Sequence, residues 1–122
     1  MSKILVVDDE PTVRRILRRT LEKAGYTVIE LADGAGVAEL VRLEAPDLVL
    51  LDIHMPKLDG IAALLEIHDI DPRIQVIAMT GDTDPKRAKL AVESGACAFI
   101  SKPFELEFLL TAVMVHLVAR RG

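Results

Sequence analysis

Tryptophan is absent from this sequence, and aromatic residues make up only 3% of it. A core without large rings must be filled by Leu, Ile, Val and Ala, and apolar residues make up 51% of the chain. Cysteine occurs once, at position 97, which excludes an internal disulfide. A lone thiol suits a reducing compartment, so a cytoplasmic protein is expected. Cys97 lies in an apolar stretch and reads as a small core residue rather than a nucleophile. No apolar run approaches the ~20 residues of a membrane-spanning helix, so no membrane partner is expected. Met1-Ser2-Lys3 leads straight into an apolar segment, without the pattern of a signal peptide. Basic charge is not in excess. The formal net charge of −4 argues against direct nucleic-acid binding by this domain. Linkers, low-complexity tracts and internal repeats are missing too. At 122 residues the chain is long enough for one domain around one core.

What is present is a hydrophobic period that switches repeatedly. Ile4-Leu5-Val6-Val7 predicts a buried strand. Pro11 then stands where a first helical residue would. Val13, Ile16, Leu17, Thr20, Leu21 and Ala24 fall on one helical face, and Gly25 closes that helix. Tyr26 to Glu30 predicts a second strand, and Gly34 to Ala45 a second helix that ends before Pro46. Leu48-Val49-Leu50-Leu51 is apolar without alternation, as in a parallel sheet covered on both faces. A turn-rich stretch follows over 52–60, then a third helix from Gly60 to Asp69. Ile74 to Met79 predicts a fourth strand, and 80–84 a loop. A fourth helix opens at Pro85 and stops near Gly95. A fifth strand centres on Ala98-Phe99-Ile100, and a last helix runs from Phe104 to about Arg120. Five βα units with short connections imply a doubly wound α/β fold with a mostly parallel sheet.

In such sheets ligands bind at the carboxyl ends of the strands. Asp8 and Asp9 follow the first strand, Asp52 ends the third, Thr80 ends the fourth, and Ser101 and Lys102 end the fifth. Segments far apart in sequence thus deliver acids, a hydroxyl and a lysine to one rim. Taken singly, Asp8 or Asp9 reads as a helix cap and Asp52 as a turn residue. Taken together, clustered carboxylates need protons or a cation. The candidate ligands are oxygens, and no His/Cys set has zinc spacing, so Mg²⁺ or Mn²⁺ is the expected occupant. A carboxylate nucleophile, a hard cation and a lysine suit phosphoryl transfer by positioning and electrostatics.

The stretches that carry this chemistry are Ile4-Leu5-Val6-Val7-Asp8-Asp9-Glu10-Pro11, Leu50-Leu51-Asp52-Ile53-His54-Met55-Pro56 with Asp59-Gly60, Met79-Thr80-Gly81, and Ser101-Lys102-Pro103-Phe104. In that order they resemble the receiver domain of two-component response regulators, of the chemotaxis-regulator-like kind. The resemblance spans essentially the whole chain, as one receiver domain over 1–122 without an output domain. It implies a flavodoxin-like (βα)5 fold with a parallel five-stranded sheet of order 2-1-3-4-5. It implies that Asp52 accepts a phosphoryl group from a phosphohistidine of a histidine kinase or histidine phosphotransfer protein. Asp9 and Asp52 would contact Mg²⁺ directly, Asp8 mainly through water, and the His54 backbone carbonyl would complete the protein ligands. Lys102 and Thr80 would bind phosphoryl oxygens. Phe99 matches the aromatic switch position, so that phosphorylation changes the face made by the fourth helix, fifth strand and fifth helix. Such a domain is not an enzyme in the usual sense, although it promotes its own phosphorylation and slow dephosphorylation. Two positions depart from the family's habit. Gly81 stands where small residues such as Ala are usual, and Phe99 lacks the hydroxyl of the frequent Tyr.

Two helices carry further signals. On the last helix Leu106, Leu109, Leu110, Val113 and Leu117 form a core stripe, yet Phe108, Ala112, Val115 and Val118 make the other side apolar too. A helix apolar all round is expected to meet a partner, either a second copy or an output protein. On the first helix Arg14, Arg15, Arg18, Arg19 and Lys23 form a basic side, either solvated or docked to an acidic partner. Other classes fit less well. An FMN binder would want a donor-rich loop after the first strand, where Asp8-Asp9-Glu10 repels anions. A haloacid-dehalogenase-type phosphatase would want an acid at position 54, which is His. A degenerate receiver would have lost one of the acids, the threonine or the lysine, and none is lost.

Overall fold

A computed structural model describes residues 2–55, 58–81 and 85–121. Strand β1 (Lys3–Val7) leads into α1 (Pro11–Lys23), and β2 (Thr27–Leu31) into α2 (Val37–Glu44). Strand β3 (Leu48–Asp52) is followed by a short antiparallel ribbon of β4 (His54–Met55) and β5 (Leu58–Asp59), then by α3 (Gly60–Ile70). Strand β6 (Gln75–Thr80) precedes α4 (Pro85–Glu93), and β7 (Ala98–Ser101) precedes α5 (Leu106–Arg121). The main sheet is parallel throughout and ordered β2-β1-β3-β6-β7. That is the expected 2-1-3-4-5 arrangement, with the ribbon set apart from it.

Strand alternation divides the core in two. Leu5, Val7, Val49, Leu51, Val76 and Ala78 face one side and pack with Val37 and Val41 of α2, Ile61, Leu64 and Ile67 of α3, and Ala91 of α4. Ile4, Val6, Leu48, Leu50, Ile77 and Met79 face the other and pack with Leu17 and Leu21 of α1 and Leu109, Val113 and Leu117 of α5. Every residue of β3 is buried, which accounts for its unbroken apolar run. Among the described residues, no helix is long and apolar enough to cross a membrane.

Several boundaries move from their expected places, each for a local reason. Helix α2 begins at Val37 rather than Gly34, because Gly36 takes a left-handed conformation (φ +86°) and Asp33 Oδ1 accepts the Ala35 N–H. It ends on Ala45, itself left-handed, just before Pro46. The inner face of α1 is narrower than its periodicity suggests: Leu17 and Leu21 are buried, whereas Ile16 is 44% exposed and Ala24 lies at the surface. At Gly60 a side chain is excluded by contact, because a Cβ there would overlap the Ile53 backbone. This close approach brings the start of α3 against the residue after Asp52.

Candidate functional site

Parallel register brings the strand ends to one level. Val7 pairs with both Leu31 and Leu51, Asp52 with Met79, and Thr80 with Ser101. Residues just past these positions therefore meet at one edge of the sheet.

Asp8 is the first residue past β1 and is fully buried. Its backbone N–H donates to Leu31 O, and its Oδ1 accepts the Glu10 N–H at 2.9 Å. The N-cap residue of α1 is Glu10, which makes no side-chain cap hydrogen bond, so capping does not explain the acids in this loop. Asp52 closes β3 and is 3% exposed. Carboxylate oxygens of Asp8, Asp9, Glu10 and Asp52 lie within 4.8 Å of one another. Glu10 was not among the expected site residues. Its signal was only adjacency to Asp8-Asp9, and its side chain joins the cluster because α1 starts immediately after it.

Lys102 follows β7 and answers this charge. Its ammonium donates to Asp8 Oδ2 at 2.7 Å, Asp52 Oδ2 at 3.1 Å and Glu10 Oε1 at 3.2 Å. An ammonium has three N–H donors, so one carboxylate can take each. Burial lowers the affinity of this amine for its proton. The hydrogen bonds and charges of Asp8 and Asp52 outweigh that effect and hold its pKa above the ordinary lysine value. The Lys102 backbone N–H is fixed to Thr80 O at 2.7 Å, and the Lys102–Pro103 peptide is cis. Thr80 ends β6, fully buried, and the exposed Gly81 has open space where a Cβ would stand.

The expected set of Asp8, Asp9, Asp52 and Lys102 is thus brought together, with Thr80 at the neighbouring strand end. The His54 backbone lies in β4, two residues beyond Asp52, while its side chain is outside the described residues, as are positions 82–84 of the loop after Thr80. Phe99 is partly buried and packs on the cluster that contains Ile53, Ala78 and Ala91.

Other expectations are redistributed. On α5, Phe108, Val115 and Val118 are 61%, 52% and 63% exposed, but Ala112 is partly buried against the α1–α5 core. Ala112 therefore belongs to the inner side, because its direction lies next to that of Leu109 and Val113. On α1, Arg18 Nη1 meets Glu30 Oε2 at 2.6 Å and Arg14 Nε meets Glu30 Oε1 at 3.5 Å. Arg14 also donates to the Asp8 carbonyl at 2.6 Å. These two arginines brace β2 and the Asp8 loop, which leaves Arg15, Arg19 and Lys23 as the exposed basic residues of that helix. A groove of about 530 Å³ lies alongside, lined by Val13, Ile16, Leu17, Phe104 and Leu106 and by Glu10 and Lys102 of the cluster. Ile16, 44% exposed, lines this groove.

The donor set is all oxygen and compact, a cluster of four carboxylates of which three, Asp8, Glu10 and Asp52, reach the Lys102 ammonium. It fits a hard divalent cation such as Mg²⁺.

Comparison with known proteins agrees with this fold. The family model described as the response regulator receiver domain matches residues 4–114. Protein CcdB of Bacillus subtilis is 43% identical over 93% of this chain and 95% of its own length. Sporulation initiation phosphotransferase F of Bacillus subtilis is 37% identical over 95% of this chain and 94% of its own length. The crystal structure of a CheY-like response regulator receiver domain protein from Methanospirillum hungatei superimposes with a TM-score of 0.95 at 27% identity, covering 99% of this chain and 97% of that one.

Proposed function

This chain belongs to the response regulator receiver family, and from that premise we propose that Asp52 is its phosphoacceptor, served by Asp8, Asp9, Lys102 and Thr80. The receiver unit is taken to occupy residues 1–122. The observation that carries this reading is the Lys102 ammonium, shared between Asp8 and Asp52 from different strand ends.

In this reading a carboxylate oxygen of Asp52 attacks the phosphorus of a phosphohistidine on a histidine kinase or phosphotransfer protein. The O–P bond forms as the N–P bond breaks, and the electron pair stays with the imidazole. Asp8, Asp9, Asp52 and the His54 backbone carbonyl would hold Mg²⁺, or Mn²⁺. The bound cation would draw charge from the phosphoryl oxygens. Lys102, held charged by its neighbours, moves from carboxylates to a phosphoryl oxygen. Thr80 offers its hydroxyl to another. The chain itself promotes both this transfer and the slower hydrolysis of its aspartyl phosphate, without turning over a separate substrate.

Outward signalling would follow from the change in charge at Asp52, about −2 when phosphorylated. Thr80 is drawn toward the phosphoryl group, and Phe99 fills the space vacated behind it. The face formed by α4, β7 and α5 then changes. Phe108, Val115 and Val118 would contact a second copy or an output partner, with Ala112 supporting them from within. A cytoplasmic location follows from the partner kinase and the unpaired Cys97.

The experiment is mass spectrometry of the intact chain after incubation with acetyl phosphate and Mg²⁺. A gain of about 80 Da that is absent in Asp52→Asn is expected. The same gain in Asp52→Asn would place the phosphoacceptor elsewhere.

A further inference from the structure

Arg87 is the third residue of α4, and nothing in the reading above uses it. Its Nη2 donates to the Ile53 carbonyl at 3.2 Å, a contact between residues 34 apart in sequence. Among the described residues, its buried Nε has no acceptor. Helix stability does not account for this placement. A cation in the first turn opposes the helix dipole, and among the described residues no acid lies within that turn.

Ile53 is the residue immediately after Asp52, and its backbone is held from several directions. Its N–H donates to Met79 O at 3.0 Å, its side chain is fully buried, and Gly60 lies so close that a Cβ there would overlap it. The peptide group leading on to His54 is held as well, since Arg87 donates to its oxygen. That peptide sets the direction in which the chain leaves Asp52 toward the His54 carbonyl. We propose that Arg87 is a positioning residue: through the Ile53 carbonyl it orients the loop after Asp52 for the cation and ties that loop to α4. This link runs beside the path through Thr80 and Phe99 and is separate from it. Linkage makes it reciprocal, so a partner that shifts α4 would change cation affinity at the acids. The inference rests on the phosphoacceptor reading, since it assigns a cation to that site.

The test is titration of the ¹⁵N-labelled full chain with Mg²⁺ alone, following amide shifts at Asp8, Asp9 and Lys86–Val92. The wild-type chain is expected to respond in both regions with one Kd. In Arg87→Met, Mg²⁺ should bind about tenfold more weakly, and the α4 response should vanish while Asp8 and Asp9 still shift. Arg87→Lys, which retains a donor, should restore part of both. A merely structural role would lower the melting temperature of Arg87→Met without separating the two responses. Should Arg87→Met not fold, Arg87→Gln takes its place under the same criterion. A variant with the wild-type Kd and wild-type α4 shifts would overturn the role of Arg87 alone. A wild-type chain that takes neither Mg²⁺ nor a phosphoryl group would overturn the phosphoacceptor reading, and this inference with it.

Discussion

Lys102 Nζ stands 2.7 Å from Asp8 Oδ2, closer than the 3.1 Å that separates it from Asp52 Oδ2. The lysine at the end of β7 is therefore held chiefly by the buried acid beyond β1. Lys102→Met would strand the fully buried Asp8 carboxylate without its main counter-charge. Breaking such a pair costs about 3–5 kcal/mol. Urea denaturation should show that loss without metal and recover part of it in saturating Mg²⁺, which binds the native state and replaces the missing charge. An unchanged urea midpoint would contradict the pairing. The pH dependence follows from the sign of the shift. A lysine raised above its ordinary 10.5 contributes stability that is complete below that value and is lost only as pH rises through the folded value. The difference between wild type and Lys102→Met should therefore be flat from about pH 7 to about pH 9.

Asp52→Asn should stabilise the metal-free chain. Asp8, Glu10 and Asp52 share one ammonium with Asp9 beside them, so neutralising one carboxylate relieves repulsion. A gain of about 1 kcal/mol is expected, of the size found when functional strain is removed. Urea titration in EDTA measures it, and the gain should shrink or reverse with Mg²⁺. A loss of stability in EDTA would mean that Asp52 contributes more by its bond to Lys102 than it costs by repulsion.

Two glycines near the site should behave oppositely on change to alanine. At Gly60 the new Cβ would overlap the Ile53 backbone, and overpacking of this kind costs about 3 kcal/mol. At Gly81, apart from its chain neighbours, no described atom lies within 4 Å of the new Cβ. There the entropy removed from the unfolded chain should give a gain of roughly 0.5 kcal/mol. Thermal melts of the two variants decide the point, and equal effects would contradict the contact at Ile53.

Cys97 should be a slow thiol. Burial pushes its pKa up to about 11 from an ordinary 9.0. Alkylation requires the thiolate, so the native chain at pH near 9 should react with iodoacetamide at least about tenfold more slowly than the chain in urea. The native rate should keep rising up to about pH 11. Equal rates in native and unfolded protein would show that the thiol is not desolvated.

Phe108→Glu tests the outer face of α5. Phe108, Val115 and Val118 are all more than half exposed, and a charge placed among them should prevent self-association without unfolding the chain. Sedimentation velocity of the phosphorylated wild type and variant compares them directly. A wild type that stays monomeric at high concentration, with and without phosphorylation, removes the second copy as occupant of this face.

Much of this molecule was legible as a linear string. Switches between strand and helix period located all five βα units, because burial on one side or both imposes its own spacing. Parallel strands joined by helices end at one edge, so the residues after those strands were already candidates for one site. Asp8, Asp52, Thr80 and Lys102 stand where that argument put them. Tertiary structure alone decided how they divide their contacts. It gave Lys102 to Asp8, 94 residues away, ahead of Asp52. It added Glu10, set Arg14 and Arg18 on Glu30, turned Ala112 inward, and brought Arg87 to the Ile53 carbonyl. Periodicity specifies the direction of a side chain about its own helix or strand. Which group it meets there depends on how neighbouring elements pack, and that is settled only when residues far apart in the chain compete for the same few donors and acceptors.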